Sequence, residues 1–357
     1  MRHPSILALA ALLLALATAC DRSPATPAAG PATQPAGDVV LYSSIDEPYL
    51  RPLIARFERQ AGLKVVLVTD TEATKSAGLV QRLDAERERP KADVYWGNEV
   101  FHTLNLVEQG LFAPYRPKPA DDVPARWRGP GDLWTAIGLR ARVIGVSTRP
   151  EHKDAVARIK SVEDLAGPAL KGKVAVAHPA FGTTSGHFAA LAVLWGPERY
   201  GKFLRGLRAN EVKLLGGNSV VVDQVAGGNF VAGTTDNDDV NNARADNRPI
   251  DAVLPDQSPD GVGTLLIPST IALIDNAPHP DNGRKLIDFL CDPAVEKELI
   301  AGRFFAYSAR ESGKVKAMDV DYAKVAKELR PAVETALNIL QDRQATPTAP
   351  APTGAQP

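Results

Sequence analysis

The sequence predicts an α/β protein of two lobes, and three observations carry that reading. Short apolar, β-branched runs alternate with segments whose apolar residues recur at helical spacing, the pattern of strands interleaved with helices. Both ends are rich in Pro, Ala, Thr and Gly and too poor in bulky apolar side chains to join a core. About three hundred residues lie between them, more than one core usually accommodates.

At the start, Arg2 and His3 precede an apolar run from Ile6 to Ala17 that closes on Ala17-Thr18-Ala19-Cys20. This is the charged start, short apolar region and small-residue cleavage site of an export signal over 1–19, too short for a membrane span. The cysteine after small residues resembles the bacterial lipoprotein box, although Ala17 stands where that box usually has Leu. It implies lipidation of Cys20, with ordinary cleavage beside an incidental cysteine as the alternative. Asp21 resembles the inner-membrane retention signal of some Gram-negative lipoproteins. Residues 20–37 then read as a disordered tether and 344–357 as a disordered tail. A net charge of -1 offers no basic footprint for nucleic acid. With Cys20 modified, Cys291 has no disulfide partner and is expected as a small buried hydrophobe.

Asp38 to Ser44 reads as a short apolar strand entering a small polar loop, followed by a helix from Tyr49 to Gln60 with Leu50, Leu53, Ile54 and Phe57 inward. Gly62 stops that helix and Leu63 to Val68 forms the second strand, giving a right-handed parallel unit. Ser43, Ser44, Asp46 and Glu47 therefore sit at a strand end facing a helix N-terminus, a place suited to a ligand. A helix over about 76–89 leads through Pro90 to the strand Ala92–Gly97, with Asn98 and Glu99 at its carboxyl end, able to cap the helix from Val100 or to bind. Residues 114–131 form a surface loop. Ala136–Leu139 and Val143–Val146 are extended segments crossing between lobes.

A short capped helix at Ser161–Leu165 and a strand at Lys173–Ala177 precede Pro179-Ala180-Phe181-Gly182-Thr183-Thr184-Ser185-Gly186-His187 and a helix through Leu194. Small residues there make either an anion cradle or a simple helix cap. Further helices follow at Pro197–Ala209 and Val220–Gly227, with Gly217-Asn218-Ser219 before the latter. The run Phe230–Gly233 then enters Thr234-Thr235-Asp236-Asn237-Asp238-Asp239, a buried strand opening onto a helix with three carboxylates at the junction. That charge needs a cation, an amine or helix N–H donors to balance it. Asp236 and Asp239 fit a helix cap and capping box equally well. The apolar runs Thr264–Pro268 and Thr270–Ile274 return to the first lobe, helices follow Pro280 and Pro293, and a last helix over about 321–341 packs across one lobe.

No Gly-x-Ser-x-Gly elbow, His-Glu-x-x-His pair, phosphate loop or Cys-x-x-Cys is present, and paired acids of a glycosidase are not specified by any spacing. His102, His152, His178 and His187 have no motif partners. An enzyme is therefore the weaker expectation, with an exported hydrolase as its form.

The ordered series Val40-Leu41-Tyr42-Ser43-Ser44, Ala92-Asp93-Val94-Tyr95-Trp96, Gly110-Leu111, Thr184-Ser185-Gly186, Gly217-Asn218-Ser219 and Ala277-Pro278-His279-Pro280 resembles the extracellular solute-binding proteins of ABC importers, nearest the ferric-iron-binding type. The resemblance covers roughly 38–342. It implies the two-lobe, type II periplasmic-binding-protein fold, each lobe a mixed sheet flanked by helices, joined by a hinge. The lobes would be 38–135 plus 262–312 and 136–261 plus 313–343. Carried over by position, that family's metal ligands fall at Asp46, at Asn98 or Glu99, and at Asp238 and Asp239, and its synergistic anion falls at Thr184, Ser185, Gly186 and Asn218. Ser43, Ser44 and Asp236 complete the expected ligand set. The consecutive tyrosines that favour ferric iron are absent, and carboxylates suit a hard or divalent cation or an aminated solute. The resemblance thus implies a monomer tethered through Cys20 at the periplasmic or extracellular face, delivering iron or another hard cation with phosphate or carbonate to an inner-membrane ABC permease. An aminated or phosphorylated organic solute is the alternative cargo.

Overall fold

A computed structural model of the chain describes residues 39–69, 77–180, 182–311, 313 and 315–341, all within one compact unit, Gly37–Pro357. The export signal, Cys20, the tether and the tail from 344 lie outside the described residues.

β1 (Val39–Ser43) is buried along its whole length, as a central parallel strand must be. α1 (Glu47–Ala61) covers it with Leu50, Leu53, Ile54 and Phe57 and stops at Gly62, whose φ of 66° is the left-handed end that glycine adopts readily. β2 (Val65–Thr69) returns parallel to β1, with Val39 opposite Val65. α2 (Ala77–Ala85) ends earlier than its apolar pattern predicts. Residues 86–89 form turns before Pro90, which disfavours helical backbone in the residue ahead of it, and the Glu86 carboxylate accepts the Tyr42 hydroxyl at 2.8 Å. β3 (Val94–Gly97), α3 (Val100–Glu108) and β4 (Phe112–Ala113) complete this part of the first lobe.

β5 (Thr135–Ser147) is one unbroken, fully buried strand of 13 residues, where the apolar pattern predicts two extended segments. Its first half pairs antiparallel with a strand of the first lobe and its second half with strands of the other, so the lobes share it. The second lobe continues with α4 (Lys153–Val156), β6 (Val174–Ala177), α5 (Gly182–Ala209), β7 (Lys213–Leu215), α6 (Asn218–Ala226), β8 (Ala232–Asp236), α7 (Asn237–Ala245) and β9 (Ile250–Val253). α5 contains both helices read from the sequence, broken at Gly196 (φ 71°) ahead of Pro197.

β10 (Leu266–Ile274) carries the chain back as a single strand through Pro268, which lacks a donor. The pairing register shifts at Ser269/Thr270, the kind of irregularity that admits proline. The Ser269 hydroxyl fills the bend, accepting from Trp96 Nε1 at 3.0 Å and donating to the Gly97 carbonyl at 3.0 Å. α8 (Pro280–Leu290), α9 (Pro293–Ala301), β11 (Tyr307–Ser308) and α10 (Tyr322–Leu340) follow, giving the strand order β2-β1-β3-β10-β5-β8-β6-β7 with β4 on β10 and β9 and β11 on β5. Cys291 is buried at the end of α8.

α10 corrects one expectation. It does not lie across a single lobe but packs along α5 and against α3. The Tyr322 hydroxyl bonds the Leu266 carbonyl on one side, and the Tyr200 hydroxyl donates to the Ala332 carbonyl at 3.0 Å on the other. Among the described residues no helix is long and apolar enough to cross a membrane.

Gly138 of β5 is where the shared strand meets β11 and the buried Phe305: a Cβ there would stand 2.2 Å from Phe305 Cδ2. Gly138→Ala is expected to cost about 1–3 kcal/mol by overpacking, read from urea unfolding. A midpoint equal to that of wild type would show that Phe305 yields without cost.

Candidate functional site

β8 delivers Asp236 to the mouth of the second lobe and α7 begins at the next residue. Asp236 holds the N-cap position of α7, yet its side chain makes no cap bond, so the capping-box reading does not hold. The carboxylate turns instead to arginines on the neighbouring strand. Its Oδ1 accepts from Arg142 Nη1 at 2.7 Å, and its Oδ2 from Thr183 Oγ1 at 2.7 Å, Asn218 Nδ2 at 2.9 Å and Arg140 Nη2 at 3.1 Å. Both oxygens of Asp238 accept from Arg140 Nη2, at 2.7 and 2.8 Å. Asn237 between them takes the Ala141 N–H at 2.7 Å and fastens α7 to β5.

The sequence reading passed over Arg140 and Arg142. Their signal was present: two charges at strand period inside an apolar run place both side chains on one face of β5, toward β8. Arg142 is fully buried, and its Nη1 also donates to Thr183 Oγ1 and Asn218 Oδ1, both at 3.0 Å. One guanidinium thus ties β5, β8 and the first turns of α5 and α6 together.

Burial alone would raise the Asp236 pKa, but Arg142 and then Arg140 outweigh it and hold the carboxyl below its ordinary value. Asp238 is raised, because burial and the adjacent Asp236 exceed the pull of Arg140. His187, in the second turn of α5, is buried with no hydrogen-bond partner for either ring nitrogen among the described residues. Burial and then the Arg142 charge push its pKa down to about 3, so it is neutral.

A cavity of about 900 Å3 lies between the lobes. Asp46, Gln81, Asn98 and His102 line it from the first lobe. From the second come Arg140, Asp236, Asp238 and Asp239, together with the first turns of α5 and α6, and α10 adds Leu329, Arg330 and Val333. Of the residues selected from sequence, Asp46, Asn98, Thr184, Ser185, Asn218, Asp236, Asp238 and Asp239 reach this cavity; Ser43, Ser44, Glu99 and Gly186 do not. The Ser43 hydroxyl donates to the Trp96 carbonyl at 3.0 Å, and that of Ser44 donates to Asn98 Oδ1 at 3.2 Å, so they staple β1 to β3. Glu99 caps α3, accepting from Phe101 N at 2.6 Å and from His102 N at 3.1 Å, with His102 Nδ1 2.6 Å from the same oxygen. Although burial opposes it, these partners keep the Glu99 pKa low. Gly186 lies under Phe101 of the first lobe, whose Cε2 is 1.9 Å from where a Cβ would stand.

The hydroxyls of the expected anion cradle also turn inward. Thr183 bonds Asp236, Thr184 donates to Asn218 Oδ1 at 3.2 Å, and Ser185 donates to the Gly182 carbonyl at 2.6 Å. No side chain caps α6, and the space beside the α-carbons of Gly216 and Gly217, which line the cavity, is open. An anion there would be held by helix-start N–H groups. For a cation, the carboxylates of Asp236, Asp238 and Asp239 offer oxygens within 4.8 Å of one another, two of the three already engaged by arginine.

Residues 39–301 match the family described as bacterial extracellular solute-binding protein. The chain belongs to that family. The Bordetella ferric binding protein is similar to this solute-binding protein at 27% identity and TM-score 0.69, over 85% of this chain and 98% of that one. The apo ferric ion-binding protein A of Pasteurella haemolytica matches at 24% identity and TM-score 0.74, over 87% and 100%. The periplasmic binding protein AfuA of Actinobacillus pleuropneumoniae, with exogenous fructose-6-phosphate bound, matches at 19% and 0.71, over 86% and 99%. The two-lobe fold is common to all three.

Two outcomes test the network. Arg142→Met should cost about 3–5 kcal/mol by leaving Asp236 Oδ1 without its cation and only the longer Arg140 contact on Oδ2, and adding Asp236→Asn should recover part of the loss in a double-mutant cycle of denaturation energies. Full additivity would deny the pairing. For His187, the unfolded chain binds a proton below about pH 6.5 that the folded chain refuses until about pH 3. Stability therefore falls as pH drops through that window, by up to about 1.4 kcal/mol per unit, and is untouched above it. His187→Gln should flatten the profile between pH 6 and 4; an unchanged slope would place a proton on the folded imidazole.

Proposed function

We propose that this solute-binding protein is the capture subunit of an ABC importer and holds a small organic solute bearing an anionic group. The observation that carries the reading is the pairing of Asp236 and Asp238 with Arg140 and Arg142. Those carboxylates already have their cations, so the site is not a bare acidic trap, and a cavity of about 900 Å3 suits an organic molecule. The helix starts of α5 and α6 take its anionic group, while the acidic side accepts from hydroxyl or amine groups. In this reading the lobes are 38–135 plus 262–312 and 136–261 plus 313–343, with β5 shared across that boundary and α10 packed on helices of both. Export to the periplasm, a lipid anchor on Cys20 and a permease in the inner membrane complete the proposal. AfuA, with fructose-6-phosphate bound, is a relative in fold that supports a cargo of this kind.

A second reading is favoured by the clustered carboxylates of Asp236, Asp238 and Asp239: a metal ion held by Asp238 and Asp239, with Asp46 from across the cavity and phosphate or carbonate, in line with the ferric-binding relatives. Under it the ion takes Asp238 from Arg140. Glu99, enclosed in the cap of α3, drops out of the ligand set.

Thermal shift of metal-stripped protein separates the two readings. The panel holds phosphorylated and aminated solutes beside Fe(III), Fe(II), Mn(II), Ca(II) and Zn(II), each with and without phosphate or carbonate. A solute at a hundred times its dissociation constant adds about 2.7 kcal/mol of stability. Stabilisation by an anionic organic solute is expected; stabilisation by a metal alone would establish the second reading, and turnover of a phosphate ester would overturn both. The double substitution Asp238→Asn, Asp239→Asn should weaken the bound ligand at least about tenfold, the loss expected from one charge-assisted contact. An unchanged affinity would remove these residues from the site.

A further inference from the structure

Arg330 stands in the middle of α10, and the structure gives it one described partner, Glu334, at 3.5 Å on the same helix face. The two side chains are 89% and 63% exposed, and an exposed pair of that kind contributes little. Arg330 is nevertheless one of the residues that line the open interlobe cavity, with Leu329 and Val333, as do the first turns of α5 and α6. The helix that carries it is anchored to α5, where the Tyr200 hydroxyl donates to the Ala332 carbonyl two residues along at 3.0 Å. Several sources of positive potential thus surround one cavity: two helix starts and a long, planar, permanently charged side chain with a fork of donors. Like-signed groups focused on a cleft attract a ligand of the opposite sign. The carboxylates of Asp46, Asp238 and Asp239 line the same cavity, which is therefore bipolar.

We infer that Arg330 is a specificity-determining residue of the cleft: it leaves Glu334 and binds the phosphate or carboxylate of the incoming solute, selecting anionic solutes over their neutral counterparts. The inference rests on the solute-binding reading above and adds to it a residue from the last helix, which no feature of the family resemblance had singled out. The exposed position of Arg330 allows substitution without disturbing the core.

Titration calorimetry of the full chain with inorganic phosphate, and with glucose 6-phosphate against glucose, tests it in wild type, Arg330→Ala, Arg330→Glu and Arg330→Lys. Phosphate affinity should fall about tenfold in the alanine variant, fall further in the glutamate variant and be partly restored by lysine, with thermal unfolding of the free proteins unchanged. Equal phosphate affinity in all four proteins would overturn the role of Arg330 and leave the solute reading in place. Absence of phosphate and glucose 6-phosphate binding by wild type would overturn the anionic part of that reading and the inference together.

Discussion

Two guanidinium groups placed two residues apart on β5 decide what the rest of the cleft can be. Without them, Asp236 and Asp238 would be buried carboxylates at the end of a strand, a burden that no helix N-terminus alone offsets. With them, the charge is closed within the protein, and the starts of α5, α6 and α7 are pinned to a common point. Thr183 and Asn218 each answer to both Arg142 and Asp236, so the geometry of the helix starts is inherited from the ion pairs beneath them.

Most of the fold was legible because it rests on local signals. Apolar periodicity marked α1 and α8, Gly62 marked an end, and the break at Gly196-Pro197 was read correctly as two helices. The departures come where long-range pairing overrides local pattern. β5 absorbs two charged residues into an apolar strand because partners nearly a hundred residues away neutralise them, and β10 runs through Pro268 because a register shift admits it.

The site was legible in its residues and less so in their orientation. The acidic run implies balancing cations, an amine or helix N–H donors, and the arginines of the adjacent strand meet that need from within the chain. Ser43, Ser44 and Glu99 stand at or just past strand ends, as their positions in the sequence required, yet they bond the Trp96 carbonyl, Asn98 and the first N–H groups of α3. A strand end tells which residues gather; it does not tell which of them turn outward. That choice depends on which backbone groups are left unpaired nearby, and those are known only once the strands are assembled.

Sharing one strand between lobes also has a bearing on how the chain folds. The contacts of Arg142 span 41, 76 and 94 positions, and the second half of β5 finds no antiparallel partner until β8 has emerged. Loops of that length close slowly, and local helices form long before them. The charge network therefore cannot close on local contacts alone, and until β8 lies beside β5 the two arginines and their acids stay in water, where they are at little cost.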